Sequence, residues 1–232
     1  MIHQLIFASP RPGMSEPEFH DYWTRVHAVR YASRIPQIKR YAVDTRTALP
    51  GEDGDPQWSG VAEIWLPGPE EQLASLQTRE FLDGARMDEP RWAAFWQTIV
   101  LDTDTHVLVD GPPFQRDEPG VKLFLLYKRR EGWSLDDARR HALVKHAPTA
   151  GPIPGLRRYW LGQVVDGAYG VGEAVLDGAH QLWFDDVDAL VAARSSAAFR
   201  TFLDGLFDYA EPRYVHQLAT RQNWIIGPAY RA

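Results

Sequence analysis

Cysteine is absent from this sequence of 232 residues. Its absence excludes thiolate nucleophiles, iron–sulfur clusters, cysteine-ligated zinc and disulfide bonds. Basic residues are also few: 25 Lys and Arg face 31 Asp and Glu, which gives a formal net charge of −6. Because nucleic-acid affinity needs clustered Lys and Arg to neutralise phosphates, we expect no nucleic-acid partner. Any metal site would have to use His, Asp or Glu.

Long apolar runs are missing as well. The apolar stretch at residues 123–127 is far shorter than the roughly 20 residues that a membrane helix needs. The first residues, Met1 to Gln4, lack the charged and apolar regions of a signal peptide. We therefore expect a cytoplasmic protein without a membrane partner. Large rings, in contrast, are abundant, with nine Trp, nine Tyr and ten Phe.

The sequence contains an internal repeat. Equivalent residues occur in the same order in both halves, 118 or 119 positions apart. Four such pairs are Ser15 and Ser134, His27 and His146, Tyr41 and Tyr159, and Trp65 and Trp183. Such ordered coincidences indicate two copies of one unit. We predict units at residues 1–113 and 114–232, joined through a stretch rich in Pro and Gly.

Each copy has the pattern strand, helix, strand, strand, helix, strand. In the first copy, Ser15 and Glu18 form the capping-box pattern that begins a helix. This order is typical of the ferredoxin-like motif, an α+β unit whose antiparallel sheet is covered by helices on one face. A single copy would expose the other, apolar face to water. We therefore predict that the two sheets pack together as a pseudo-dimeric barrel within one chain.

The motifs resemble those of the EthD family of dimeric α/β-barrel proteins. The residues that carry the resemblance are Arg11-Pro12-Gly13-Met14-Ser15, Glu18-Phe19, Tyr22-Trp23, His27-Ala28, Pro36-x-Ile38-x-Arg40-Tyr41, Ala62-Glu63-Ile64-Trp65 and Asp88-Glu89-x-x-Trp92. The resemblance implies a barrel of two four-stranded sheets with pockets between sheets and helices. It also implies cofactor-free enzymes that act on polyketide or aromatic intermediates by dehydration, decarboxylation, cyclisation or quinone-forming oxidation. More distant barrel relatives hold haem through a histidine.

The second half departs from this pattern near its histidine. Ala138 and Ala142 stand where the first half has Phe19 and Trp23, and Tyr209-Ala210 precedes Glu211 where the first half has Asp88. The pocket of the second half is therefore the less similar of the two.

Histidines on the repeated helices are the main candidates for chemistry. His27 and His146 occupy the same repeat position, and an imidazole can both donate and accept a proton near neutral pH. The alternative is that each bonds the last carbonyls of its helix. His20 and Trp23 share a helix face with His27 and are predicted substrate contacts. His20 and His27 are too far apart along a helix to share a metal ion, so no metal site is predicted.

Five further residues are candidates, each with a structural alternative. Tyr41 and Tyr159 fall on the same strand face in each copy and could hold a substrate carbonyl, or could be core rings. Asp88 could orient a histidine or take up a proton, or could cap a helix. Glu63 and Trp65 share one strand face. If that face lines the pocket, Glu63 would have a raised pKa and act as an acid, and Trp65 would bind the substrate; if it faces the seam between the sheets, both are packing features.

We predict a cofactor-independent lyase or cyclase that acts on a small hydrophobic, aromatic or polyketide-like substrate. In this hypothesis His27 moves the proton and Tyr41 positions a carbonyl or hydroxyl group. One alternative is a monooxygenase of the same barrel class, either cofactor-free or haem-binding. Another is a non-catalytic accessory protein that shields a hydrophobic intermediate. The acidic surface with spare aromatic residues also leaves a homodimer open.

Overall fold

Eight antiparallel strands close into one barrel in the computed structural model, which describes residues 1–52 and 55–231. The strands are β1 (Ile2–Ala8), β2 (Arg40–Arg46), β3 (Gly60–Leu66), β4 (Ile99–Val109), β5 (Val121–Tyr127), β6 (Arg158–Val164), β7 (Gly178–Phe184) and β8 (His216–Ile226). Their order around the barrel is β1-β3-β2-β8-β5-β7-β6-β4.

Helices connect the strands on the outside of the barrel. The α-helices are α1 (Glu16–Tyr22), α2 (Ala28–Arg30), α3 (Pro69–Ser75), α4 (Arg86–Asp88), α5 (Leu135–His141), α6 (Val187–Arg194) and α7 (Ala197–Leu206). Wider, π-helical turns occupy Trp23–His27, Glu80–Ala85 and Ala142–His146. Short 3₁₀ turns occupy Ala32–Arg34, Glu89–Arg91, Phe95–Gln97, Ala147–Ala150, Asp166–Tyr169 and Pro212–Tyr214. No helix among the described residues is both long enough and apolar enough to span a bilayer.

The two halves have the same sheet topology. Strands β4-β1-β3-β2 form one sheet and β8-β5-β7-β6 form the other, and the pairs β2–β8 and β4–β6 join them. This arrangement confirms the predicted α+β fold, with two ferredoxin-like sheets closing a barrel within one chain. The boundary between residues 113 and 114 stays a prediction.

Strand alternation sorts the side chains onto two faces. On β1, Ile2 and Ala8 pack outward against the helices, whereas Leu5 and Phe7 join the core of the barrel lumen. The same alternation on β3 directs Ala62 outward and its neighbours on either side inward. The outer face of the first sheet can therefore build a pocket together with the helices that cover it.

The predicted capping box begins α1. The Glu18 amide donates to Ser15 Oγ at 3.4 Å, and the Ser15 amide donates to Glu18 Oε2 at 2.9 Å. After α1 the chain widens into the π-helical turn, which inserts an extra residue into the helical repeat. Both Trp23, at its start, and His27, at its end, are buried against the sheet.

A glycine on β3 allows the Trp23 ring to lie on the sheet. A Cβ atom at Gly60 would come within 2.9 Å of the Trp23 ring and 2.8 Å of the Asp44 carbonyl oxygen. These distances are shorter than side chains tolerate, so Gly60 is required by the close approach of helix and sheet.

Candidate active site

A cavity of about 420 Å³ lies between the first sheet and its helices. This volume is within the range of small-molecule sites. Trp23, His27, Tyr41 and Trp92 contribute to its wall, and Ala62 leaves room at its floor. The structure thus brings three of the predicted site residues, Trp23, His27 and Tyr41, to one cavity.

His27 and Asp88 form a buried hydrogen-bonded pair beside this cavity. His27 Nδ1 lies 3.0 Å from Asp88 Oδ2, and the Tyr22 hydroxyl donates to Asp88 Oδ1 at 2.8 Å. Because a carboxylate only accepts hydrogen bonds, His27 carries its proton on Nδ1 and exposes a lone pair on Nε2. Within residues 1–52 and 55–231, no protein group bonds to Nε2. This nitrogen can accept a proton from a molecule in the cavity.

Burial sets the protonation of His27. Desolvation lowers the pKa of the imidazole below its ordinary value of 6.5, and the hydrogen bond and charge of Asp88 offset only part of this effect. His27 is therefore neutral at pH 7, the form that a general base requires.

Aromatic rings enclose the histidine. The centroid of the His27 ring is 4.7 Å from that of Trp92, and Trp92 is 4.9 Å from Trp23. Trp23 Nε1 donates to the Tyr41 hydroxyl at 3.3 Å. Burial raises the pKa of Tyr41, so its phenol stays protonated and can donate its own hydrogen to a ligand oxygen.

Glu89 adds a titratable group to the cavity wall. Burial, and to a smaller extent the neighbouring Asp88 charge, raise the pKa of the Glu89 carboxyl to about 7, although Arg86 opposes this shift. Glu89 changes charge near neutral pH, close to the His27–Asp88 pair.

Of the two alternatives predicted for Glu63 and Trp65, the structure shows the second, in which they face the seam between the sheets. Both face the barrel lumen, the opposite side of β3 from the cavity. Glu63 accepts hydrogen bonds from Lys122 and, at 3.0 Å, from His3 Nε2. Burial alone would raise the pKa of Glu63, but Lys122 and His3 outweigh burial and hold it well below its ordinary value. Trp65 stacks on His3 at 4.3 Å. The proposed acid beside a ring is therefore corrected to a structural ion pair and a packing ring.

His20, a predicted substrate contact, does not line the cavity. Its Nε2 donates to the Ser59 carbonyl oxygen at 2.7 Å, which fastens α1 to the loop before β3. The π-helical turn between His20 and His27 separates the two rings, because it changes the helical register that would have placed them on one face.

His146 and Tyr159 belong to a polarised hydrogen-bond chain rather than to an open pocket. His146 Nε2 donates to the Phe202 carbonyl oxygen at 2.8 Å, so its Nδ1 accepts from the Tyr209 hydroxyl at 3.1 Å. The Tyr209 oxygen accepts from His180 Nε2 at 2.9 Å, and Tyr159 donates to His180 Nδ1 at 2.7 Å. Both His146 nitrogens are thus occupied, and burial lowers its pKa to about 4.

Larger side chains fill the second half where the first is open. His180 pairs with Leu125 and Leu161 in the register that Ala62 has in the first half, and its ring lies 4.9 Å from that of His146. Gly205 lets α7 approach, since a Cβ atom there would be 3.3 Å from His146. The candidate roles of His146 in acid/base chemistry and of Tyr159 in substrate binding are therefore corrected to packing roles.

The family comparison agrees with the repeat. The EthD domain model matches residues 11–95 and 130–204. The chain belongs to the EthD family. Its two matched segments confirm the tandem form of this EthD protein. A search of curated proteins finds no significant match.

Solved structures similar to this EthD protein share the fold at low sequence identity. An anthrone oxidase-like protein has a TM-score of 0.68 at 12% identity, covering 100% of this chain and 95% of that one. A "putative monooxygenase" from Fusobacterium nucleatum has a TM-score of 0.62 at 10% identity, with 100% and 97% covered. A second "putative monooxygenase", from Lactobacillus acidophilus, has a TM-score of 0.55 at 11% identity, covering 97% of this chain and 98% of that one.

Proposed function

We propose that this EthD protein is a cofactor-independent enzyme that moves a proton on a flat, apolar, aromatic or polyketide-like substrate. The reaction would be a dehydration, decarboxylation or cyclisation. One observation carries the proposal: the neutral imidazole of His27, oriented by Asp88, borders an aromatic cavity while its repeat partner His146 is fully hydrogen-bonded.

The geometry gives each group a role in such a step. His27 Nε2 takes a proton from a carbon that is next to a substrate carbonyl or conjugated with it through a ring, and the C–H electron pair moves toward the carbonyl oxygen. The Tyr41 hydroxyl donates a hydrogen bond to that oxygen. Asp88 stabilises the imidazolium that forms. In a dehydration, His27 then returns the proton to the departing hydroxyl, the C–O bond breaks, and water leaves.

A second candidate is a cofactor-free oxygenase, as the names of the structural neighbours suggest. The same deprotonated aromatic substrate can react with dioxygen. For anthrone, the methylene carbon is oxidised to a carbonyl while dioxygen is reduced, and the products are anthraquinone and one molecule of water. The apolar aromatic wall around His27 suits such an electron-rich intermediate.

Haem fits this cavity poorly. Haem carries two propionates, which proteins usually pair with Lys or Arg. Among the described residues that line the cavity there is no Lys or Arg, while Glu89 and Asp102 are acidic. We therefore derive no step through haem.

Anthrone, a carbon acid with a flat fused-ring skeleton, is the probe that tests the proposal. In deuterated buffer without oxygen, the wild-type protein should accelerate exchange of the anthrone methylene hydrogens, measured by NMR. Ala62→Phe should abolish the acceleration, because it places a ring where the second half has His180. In air, formation of anthraquinone would favour the oxygenase candidate.

Equal exchange rates with wild-type protein and with Ala62→Phe would contradict catalysis in this cavity. Calorimetric binding of anthrone without any exchange would instead support the accessory binding protein.

The protonation of His27 is testable without a substrate. We expect its ring protons to titrate in NMR with a pKa below 6.5, because burial outweighs the effect of Asp88. Replacing Asp88 with Asn should lower the pKa further, since the offsetting charge is removed. A wild-type pKa above 6.5 would contradict the neutral-base assignment.

A further inference from the structure

The floor of the cavity has a polar end. Asp102 on β4 pairs with Gln4 on β1, Gln4 pairs with Ile64 on β3, and Ile64 pairs with Tyr41 on β2. These four residues form one straight row across the sheet, and all of them line the cavity. With about 4.8 Å between neighbouring strands, the row spans about 14 Å from Asp102 to Tyr41. The next row toward the end of β1 contains Val100, Ile6 and Ala62 and is apolar.

Gln4 and Asp102 are bonded to each other but retain free acceptors. Gln4 Nε2 donates to Asp102 Oδ1 at 2.8 Å. The side-chain amide oxygen of Gln4 and the second carboxylate oxygen of Asp102 have no protein partner among the described residues. Both are acceptors, so this end of the cavity suits a ligand group that donates a hydrogen bond, and a carboxylate acceptor makes that bond stronger than a neutral one does.

The second half shows that the fold does not need this pair. In the equivalent row, Leu123 pairs with Ala219 and with Leu182, and Leu182 pairs with Tyr159. The tyrosine is therefore present in both halves, whereas the polar pair is replaced by Leu and Ala in the filled half. Polar side chains on a half-buried apolar floor cost free energy unless they are hydrogen-bonded. Their presence only in the open half leaves their remaining acceptors available to a ligand in the cavity.

We propose that Gln4 and Asp102 bind a hydroxyl group on the part of the substrate farthest from Tyr41. This inference rests on the proposed function and narrows its substrate class. The substrate is an elongated fused-ring molecule with a carbonyl or hydroxyl at the Tyr41 end and a second, donating hydroxyl at the other end. A ring system without that second hydroxyl would leave the two acceptors unpaired.

Two naphthols test this class by calorimetry. Naphthalene-2,6-diol carries hydroxyls at opposite ends, and 2-naphthol carries only one. We expect the wild-type protein to bind the diol at least roughly tenfold more tightly, as expected for one hydrogen bond to a charged group. In the double variant Gln4→Leu/Asp102→Ala, which copies the second half, this ratio should fall to about one while 2-naphthol binds as before.

A second variant guards against a folding defect. Asp102→Asn keeps the size of the side chain and removes its charge, so the diol preference should fall by less than in the double variant. An unchanged preference for the diol in both variants would overturn the proposed hydroxyl site but would leave the proposed function intact. If neither compound binds the wild-type protein, both the hydroxyl site and the proposed function in this cavity fail. The anthrone assay tests the proposed function separately.

Discussion

His27→Ala should reduce the rate of anthrone exchange by roughly 10²–10⁴-fold, the usual contribution of a positioned general base. His27 Nε2 lies in the cavity wall and has no protein partner among the described residues, so it is free to take the proton from anthrone. Binding of anthrone should weaken much less, because the aromatic wall formed by Trp23 and Trp92 remains. The measurement is the NMR exchange rate at saturating anthrone, with the dissociation constant from calorimetry.

The chain supplies a matched control for this substitution. His146 has the same repeat position, but both its ring nitrogens are hydrogen-bonded within the filled half. His146→Gln should therefore leave the exchange rate unchanged at temperatures where the variant is folded. Equal losses in the two variants would show that the effect comes from the fold, and an unchanged rate in His27→Ala would remove His27 from the mechanism.

Lys122→Met should lower the free energy of unfolding at pH 7 by about 3–5 kcal/mol, the usual cost of removing one partner from a buried ion pair. Lys122 is fully buried in the barrel lumen, bonded to Glu63 and, at 2.7 Å, to Asp44 Oδ2. Without the ammonium group, the Glu63 carboxylate would lose its cation. Urea denaturation at pH 7 measures the loss, which should leave the outer cavity intact.

Removing the charge of Glu63, the ion-pair partner of Lys122, is the control for this substitution. Gln181 is the repeat equivalent of Glu63, so Lys122→Met/Glu63→Gln should recover part of the loss. The pH dependence has a definite sign: because the pKa of Glu63 is depressed, its ion pair contributes its full stability above the ordinary value of 4.5. This contribution is lost progressively as the pH falls from 4.5 toward the depressed pKa. The difference between wild-type protein and Lys122→Met should therefore shrink at acid pH. A loss below about 1 kcal/mol at pH 7 would contradict the assignment.

Local sequence signals were sufficient for the architecture. The repeat spacing, the capping box at Ser15 and strand alternation correctly predicted two ferredoxin-like sheets closing one barrel. Alternation also placed Glu63 and Trp65 on one face. It could not tell which face meets the helices, because both faces of each sheet are buried in a closed barrel.

The candidate site was only partly predictable. Trp23, His27 and Tyr41 were found because they combine a helix face, a repeat position and a strand face. His20 was misplaced because a π-helical turn leaves no simple signal in the helical pattern. Gln4 and Asp102 were missed, since their pairing depends on strands almost a hundred residues apart in sequence.

The sequence contains a signal that rings fill the pocket of the second half. Aligning the copies places Ala62 opposite His180 and Ala8 opposite Tyr127. Each replaces a small side chain with a ring at an outward position. The differences alone could not show that both rings enter the same space, because that depends on how closely α7 approaches His146 at Gly205.

The covalent joining of the two units has a consequence for how such a pocket can change. In a homodimer, every substitution occurs twice, so a side chain that closes one pocket closes both. In this chain, Ala62 and His180 are separate positions and can differ. One half can be filled by packed rings while the other keeps a cavity of about 420 Å³. The linked barrel thus permits a division of labour that an association of identical subunits forbids.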